Sequence, residues 1–234
     1  GADGYLGGDA LLRPRKGMRL GTRVQGKGER MNSTSSFSKL PNFKASQLPI
    51  LRARFIERPN RFLVVCDLDG KAVRAYLPNP GRLWELLLPG QPLYLVKNPP
   101  DPLKSTPYTA LAVEREGRPI LLHTHLTNDV TASLLARGKL PGFEGSSVIR
   151  REVTAGGSRY DFLLERDGRE FFLEVKSCTL FGGRIAMFPD AVTDRGRRHL
   201  EHLALQARRG IPGGVVFIVH SPRIDAFMPD FQTD

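Results

Sequence analysis

At 234 residues, 40% of them hydrophobic, the chain can form one large domain or two modest ones with real cores. Charged residues make up 25%, the balance of a globular protein, and no apolar run approaches the roughly 18 residues a membrane-spanning helix needs. The formal net charge of +11 points to a polyanionic partner, but residues 1–50 carry 9 Lys+Arg against 3 Asp+Glu (+6) and residues 51–234 carry 26 against 21 (+5). More than half of the excess therefore sits on a tail, and bulk charge alone is a weak argument for DNA.

Residues 1–45 are rich in Gly, Ser, Arg and Lys and lack sustained periodicity, so a basic flexible leader is expected there. They contain no apolar stretch like that of a secretory signal. Cys66 and Cys178 lie far apart in apolar, strand-like runs, which reads as two buried reduced thiols in a cytoplasmic protein.

From Leu51 onward the pattern becomes that of β-structure. Phe62–Leu68 and Ala72–Leu77 flank Asp69-Gly70, a strong hairpin signal. A turn at Asn79-Pro80-Gly81 leads to a short predicted helix over Arg82–Leu88. A strand over Pro92–Val96 follows, then two more around Glu116-Gly117. About five short strands with tight turns predict an OB-like barrel over 46–118, a fold that often binds oligonucleotides. Arg61, Arg74 and Arg82 are its candidate phosphate contacts.

The second half, 119–234, reads as a mixed α/β domain. A helix is expected over Asn128–Lys139, with Val130, Leu134 and Leu135 on one face. Strands are expected over Ser147–Thr154, Tyr160–Glu165 and Glu170–Cys178, the last two joined at Asp167-Gly168. The second helix, Arg195–Arg209, has Leu200, Leu203, Ala204 and Ala207 as its apolar positions and Gly210 at its end. Gly214–His220 is wholly apolar apart from its terminal histidine, the pattern of a buried parallel strand. The fold class is thus α/β with an all-β N-terminal part.

The chemistry concentrates in Asp-x12-Glu-x-Lys, formed by Asp161, Glu174 and Lys176. Residues two apart in a strand share a face, so Glu174 and Lys176 point the same way on a strand whose other residues are apolar. Charged groups there are costly to desolvate unless paired or metal-bound. Asp161, on the preceding strand, can fall beside Glu174. Two carboxylates are hard-oxygen ligands for Mg²⁺ or Mn²⁺, and Lys176 could orient a water or stabilise phosphoryl charge. The competing reading is a surface Glu174–Lys176 pair with Asp161 as an ordinary charge.

Other candidates each carry two readings. Glu152 is a third acid near the site or a salt-bridge partner; Asn128 is a site neighbour or a helix N-cap. Asp190 is a site neighbour or a loop brace. Arg195, Arg198 and His199 are phosphate contacts or a solvated helix face. His123 and His125 lack a third ligand in sequence.

Six segments together resemble one family: RFLVVCDLDG at 61–70, PNPGR at 78–82, REV at 151–153, SRYDFLLE at 158–165, EVKS at 174–177 and FPDAVTDRGRRHL at 188–200. They are similar to the sugar fermentation stimulation protein family (SfsA), from about Phe55 to Pro229. The resemblance implies a DNA-binding protein with an OB-type barrel and a restriction-endonuclease-like domain of the PD-(D/E)xK type. It implies catalytic roles for Asp161, Glu174 and Lys176, metal binding by Asp161 and Glu174, and Glu152 and Asn128 as site neighbours. The chain departs from the family pattern at His123-Thr124-His125, where an Asn-Thr pair is usual, and at Asp194, often Glu. It also stops soon after Pro229-Asp230, short of the usual C-terminal segment.

Two functions compete at this point: a Mg²⁺-dependent nuclease acting on DNA, and a non-catalytic DNA-binding regulator of sugar metabolism on the same scaffold. The clustered acids favour the first, because acids placed near phosphates do nothing for a pure binder. No helix-turn-helix pattern is present, so strong sequence specificity is not expected.

Overall fold

The structure, a computed structural model, describes residues 49–102, 105–191 and 194–233. The expected leader over 1–45 lies outside them.

The N-terminal sheet has the order β3-β2-β1-β4-β5-β6 and closes through a parallel β3–β5 pairing. Its strands are β1 (Ile50–Asn60), β2 (Leu63–Leu68), β3 (Lys71–Tyr76), β4 (Pro92–Lys97), β5 (Tyr108–Arg115) and β6 (Arg118–Leu121). Strands β1 to β5 form the closed barrel, and β6 extends the sheet past residue 118 by pairing with β5. Two Xaa-Gly hairpins do much of the folding. Asp69-Gly70 and Glu116-Gly117 both hold positive φ at both residues, the geometry that matches strand twist in a two-residue loop. The Asp67 carboxylate accepts the Gly70 N–H at 2.8 Å and fixes the first turn.

The helix predicted over Arg82–Leu88 does not form. Leu83 takes a φ of 57°, which no right-handed helix accommodates, and only isolated turn bonds follow, from the N–H groups of Leu86 and Leu87 to the Leu83 carbonyl. Leu83 is held there because it is fully buried and its N–H faces the Asp190 carboxylate at 3.4 Å. Tertiary packing overrides local propensity.

The second sheet has the order β12-β9-β8-β7. Strands β7 (Ser147–Ala155), β8 (Ser158–Arg166) and β9 (Arg169–Cys178) form an antiparallel meander, and β12 (Gly213–Val219) lies parallel to β9. Strands β10 (Leu180–Gly182), β11 (Ile185–Phe188) and β13 (Ala226–Pro229) form a third, small sheet. The all-apolar β12 is parallel as expected, but it has one neighbour only and is half-buried rather than buried.

Helix α1 (Thr127–Ala136) runs between the two halves. Its apolar residues do not share one face as expected. Val130 packs on the Tyr94, Leu111 and Leu121 cluster of the barrel, while Leu134 and Leu135 pack on Phe162 and Leu173 of the sheet. Helix α2 (Asp194–Arg208) also corrects the expectation. Leu203 and Gln206 are buried and His199 and His202 half-buried, whereas Leu200, Ala204 and Ala207 face outward. Polar residues occupy the inward stripe because polar partners await them: the His202 ring nitrogen meets the Ser158 hydroxyl at 2.5 Å.

One hydrophobic cluster joins the barrel to the α/β half. Val64, Cys66, Ala75, Leu93 and Leu95 of the barrel cluster with Cys178, Phe181, Ala186 and Ile224 of the second half. Both cysteines are free and buried, and burial pushes their thiols up to about 12 for Cys66 and about 11 for Cys178.

Phe162, fully buried between α1 and the sheet, tests which layer carries the second half. Phe162→Ala is expected to cost about 3–5 kcal/mol, read as a lower urea midpoint at unchanged slope.

Candidate active site

The site is built on β8 and β9, whose paired register ends at Phe162–Leu173; just beyond it, Asp161 is held against β9 by its Oδ2, which accepts the N–H of Val175, the residue between Glu174 and Lys176. Glu174 and Lys176 share a face of β9, the ammonium 2.6 Å from Glu174 Oε1, and Asp161 is close enough to feel both charges. The three residues expected to form the chemistry are therefore together, and the surface-pair reading fails, because Glu174 is only 5% exposed.

Each acid is held differently. Asp161 Oδ2 accepts the Val175 N–H at 2.7 Å and Oδ1 accepts the Asn128 side-chain amide at 2.8 Å. Asn128 is therefore not an N-cap: it sits inside the first turn of α1, whose N-cap position is Leu126. Its amide also lies 3.4 Å from Glu152 Oε1. Glu152, at a φ of 57° and on a half-exposed side chain, pairs with Arg159 at 2.6 Å. Glu174 Oε1 additionally faces His199 Nδ1 at 3.1 Å, while Glu174 Oε2 is buried with no hydrogen-bond partner among the described residues. Burial raises the Asp161 carboxyl above the ordinary aspartate range. The Val175 N–H and Asn128 oppose that shift, and the Glu174 charge adds to it.

A cleft of about 450 Å³ opens over Glu174, Lys176 and His199 and is closed on the other side by Arg61, Asn79, Pro80 and Gly81 of the barrel. The barrel loop is tightly built. Arg58, central to it but overlooked in sequence, donates to the carbonyls of Gly81, Arg82, Arg61 and Asn79 at 2.6–3.1 Å. Asn79, 3% exposed, accepts the Gly81 N–H and reaches Thr179 across the cleft at 3.5 Å. Asp190 does brace this loop: besides facing the Leu83 N–H, its backbone carbonyl accepts Arg82 Nε at 2.9 Å. Gly81 fits closely here: an added Cβ would lie 2.3 Å from Asp190 Oδ2 and would displace that carboxylate.

The candidate phosphate contacts separate. Arg61 lines the cleft. Arg74 is exposed on β3. Arg82 is engaged by the protein itself, through Asp190 and through Thr233 Oγ1 at 3.0 Å. Arg198 lies exposed on α2, His199 turns inward to Glu174, and the Arg195 side chain lies outside the described residues. His123 and His125 meet edge to face at 5.6 Å, and burial lowers His123 to about 4. Sequence reasoning also missed His220, which lies behind β9 and bonds Ser177 Oγ at 3.0 Å and Thr127 Oγ1 at 3.3 Å. Burial lowers it to about 4.

Known proteins agree with this architecture. Residues 56–122 match the family described as "SfsA N-terminal OB domain", and residues 125–234 match "Sugar fermentation stimulation protein RE domain". Similar proteins include the "Sugar fermentation stimulation protein homolog" of Moorella thermoacetica, 41% identical over 79% of this chain and 80% of that one. That of Chloroflexus aurantiacus is 42% identical over 81% and 73%. The structure resembles that of Pyrococcus furiosus SfsA, solved in complex with Ca²⁺, with a TM-score of 0.72, 33% identity, and 80% and 79% of the two chains covered. The chain belongs to the sugar fermentation stimulation protein (SfsA) family.

The depressed His220 makes the fold acid-sensitive. The unfolded chain binds its proton near the free-histidine value of about 6.5, the folded one only near 4. Stability is expected to be full above that window and to fall as pH drops through it. His220→Asn should make the fall shallower without removing it, since His123 titrates alike; denaturant unfolding at stepped pH measures both slopes.

Proposed function

We propose that this SfsA-family chain is a DNA-binding protein whose Asp161–Glu174–Lys176 site hydrolyses phosphodiester bonds with Mg²⁺ or Mn²⁺, on a scaffold of the PD-(D/E)xK type. The observation that carries the reading is the buried Oε2 of Glu174, without a hydrogen-bond partner among the described residues, close to a second carboxylate that feels its charge. A buried anionic oxygen without a donor is costly, and a divalent cation relieves it.

The residues fit such an ion. No three acids, histidines or cysteines converge for chelation among the described residues. Mg²⁺ does not need them: it binds through one or two carboxylates, keeps several waters and takes substrate phosphate oxygens. Asp161 and Glu174 would hold it. The Pyrococcus relative's Ca²⁺ complex supports an oxygen-seeking divalent ion in this family. When bound, the ion supplies a polarised phosphoryl group and a more acidic attacking water.

The chain's own groups do the rest. Asn128 and the Val175 N–H fix the Asp161 carboxylate in one orientation. Lys176 places a compact positive charge at the cleft floor, where phosphoryl charge grows, and His199 holds Glu174 from the other side. Arg61 at the cleft wall suits the contact with a neighbouring phosphate.

Plasmid and oligonucleotide substrates incubated with Mg²⁺, Mn²⁺ or EDTA test this. Cutting is expected with either metal and none with EDTA. Lys176→Ala should slow it about 10²-fold or more, and Asp161→Ala should abolish it. Tight binding without cutting would instead support the regulator.

A second measurement needs no substrate. Mn²⁺ at about a hundred times its Kd should stabilise the wild type by about 2.7 kcal/mol and leave Asp161→Asn unshifted. Without metal at neutral pH that variant should be no less stable than wild type. The reason is that a carboxyl raised on folding contributes stability only below its unfolded value and loses it as pH rises through the folded one.

A further inference from the structure

A second groove, of about 630 Å³, adjoins the active-site cleft on its barrel side. Arg61, Pro80 and Gly81 line both, so the two run into each other over the rim of the PNPGR loop. Its outer lining is Trp84, the chain's sole tryptophan, whose residue is 73% exposed. A large aromatic left this open is unusual unless it meets something. The ring is also preorganised. The Arg82 guanidinium covers one face at 5.4 Å from the ring centre, and Arg82 is itself pinned by the Asp190 carbonyl and the Thr233 hydroxyl. Arg58 and Arg61 add positive charge to the same groove, and Arg61 forms no ion pair among the described residues.

A fixed, half-open indole in a basic groove has one outstanding chemical match, a nucleobase stacked on a phosphate-bearing strand. Only an unpaired strand offers it, because in a duplex the base faces are covered by their neighbours and only edges show in the grooves. We propose that the Trp84 groove binds an unpaired DNA strand leading into the active-site cleft, with a base stacked on Trp84 and the adjoining phosphate at Arg61. The substrate class is then DNA with a single-stranded segment. This rests on the functional reading above for its direction toward the cleft, though the groove's own chemistry stands apart from catalysis.

Because Trp84 is the sole tryptophan, its emission reports the site directly. In EDTA, where no cutting is expected, a short oligothymidylate should quench it in a saturable way. By anisotropy of a labelled strand, Trp84→Ala should bind oligothymidylate roughly tenfold or more weakly, and Trp84→Phe should stay within about threefold of wild type. A blunt duplex should bind all three proteins equally. Three outcomes would overturn the proposal: unchanged emission at saturating oligothymidylate, an equal loss for duplex and single strand, or an emission that changes with protein concentration alone. The last would make the groove a contact between copies of the chain. If the Trp84 effects hold while no metal produces cutting, the nuclease reading fails and the strand-binding groove stands.

Discussion

Two carboxylates brought close on neighbouring interior strands repel, and burial makes the repulsion worse because little water screens it. Asp161 and Glu174 are in that position, the Glu174 charge adding to the upward shift of the Asp161 carboxyl. Everything around them reduces the cost. The Val175 N–H and the Asn128 amide take the two oxygens of Asp161, and Lys176 and His199 converge on one oxygen of Glu174. The remaining oxygen of Glu174 is left without a donor. A fold selected for stability alone would replace such a set with apolar residues of similar volume, which often stabilises a protein. The arrangement stores electrostatic demand, which the proposed divalent cation would relieve.

The barrel is part of this site rather than an appendage. One cluster joins its core to Cys178, Phe181, Ala186 and Ile224 of the second half, so the two halves cannot move apart without exposing these residues. That shared core fixes the Arg58-braced loop opposite Glu174 and Lys176, and the cleft exists because two rigid walls meet there. The Asn79–Thr179 bond, the Arg82–Asp190 bond and the Arg115 bond to the Gly183 carbonyl at 2.7 Å cross the same boundary. The arginine-braced loop on one half and the acidic cluster on the other are thereby held in a single geometry.

What the sequence revealed follows the range of the forces involved. Xaa-Gly turns and alternating strands are local, and Asp69-Gly70, Glu116-Gly117 and Asp167-Gly168 stand where they were expected. The nearness of Asp161 to Glu174 follows from one tight turn joining two paired strands, so it too could be counted out. Long-range contacts could not. Leu83 adopts left-handed backbone because Asp190, far along the chain, meets its N–H. The inward face of α2 carries His199, His202 and Gln206 beside Leu203 because Ser158 and Glu174 lie beneath it, and an apolar-stripe argument places only Leu203 correctly. Arg58 resembled any surface arginine until four carbonyls were brought to it. The sequence showed the helix ends and turns but not the partners that reverse a local preference.

The distribution of charge sharpens this view of the molecule. Residues 51–234 carry a net of only +5, and many of their arginines are spent on partners: Arg151 on Asp129, Arg159 on Glu152, Arg184 on Asp225 and Arg223 on Glu116. A body so nearly balanced exerts little long-range pull on a polyanion at physiological salt, where fields fade within about 8 Å. Attraction must then be local, and the barrel side of the cleft is where Arg58, Arg61 and Arg82 gather. Two of the three are bound to backbone carbonyls rather than to acids, so those bonds fix their position and leave their charge in place. Positive charge fixed by neutral acceptors thus stands beside the cleft that holds the buried Glu174, and it is on that opposition of charges that the proposed grip on a phosphate backbone rests.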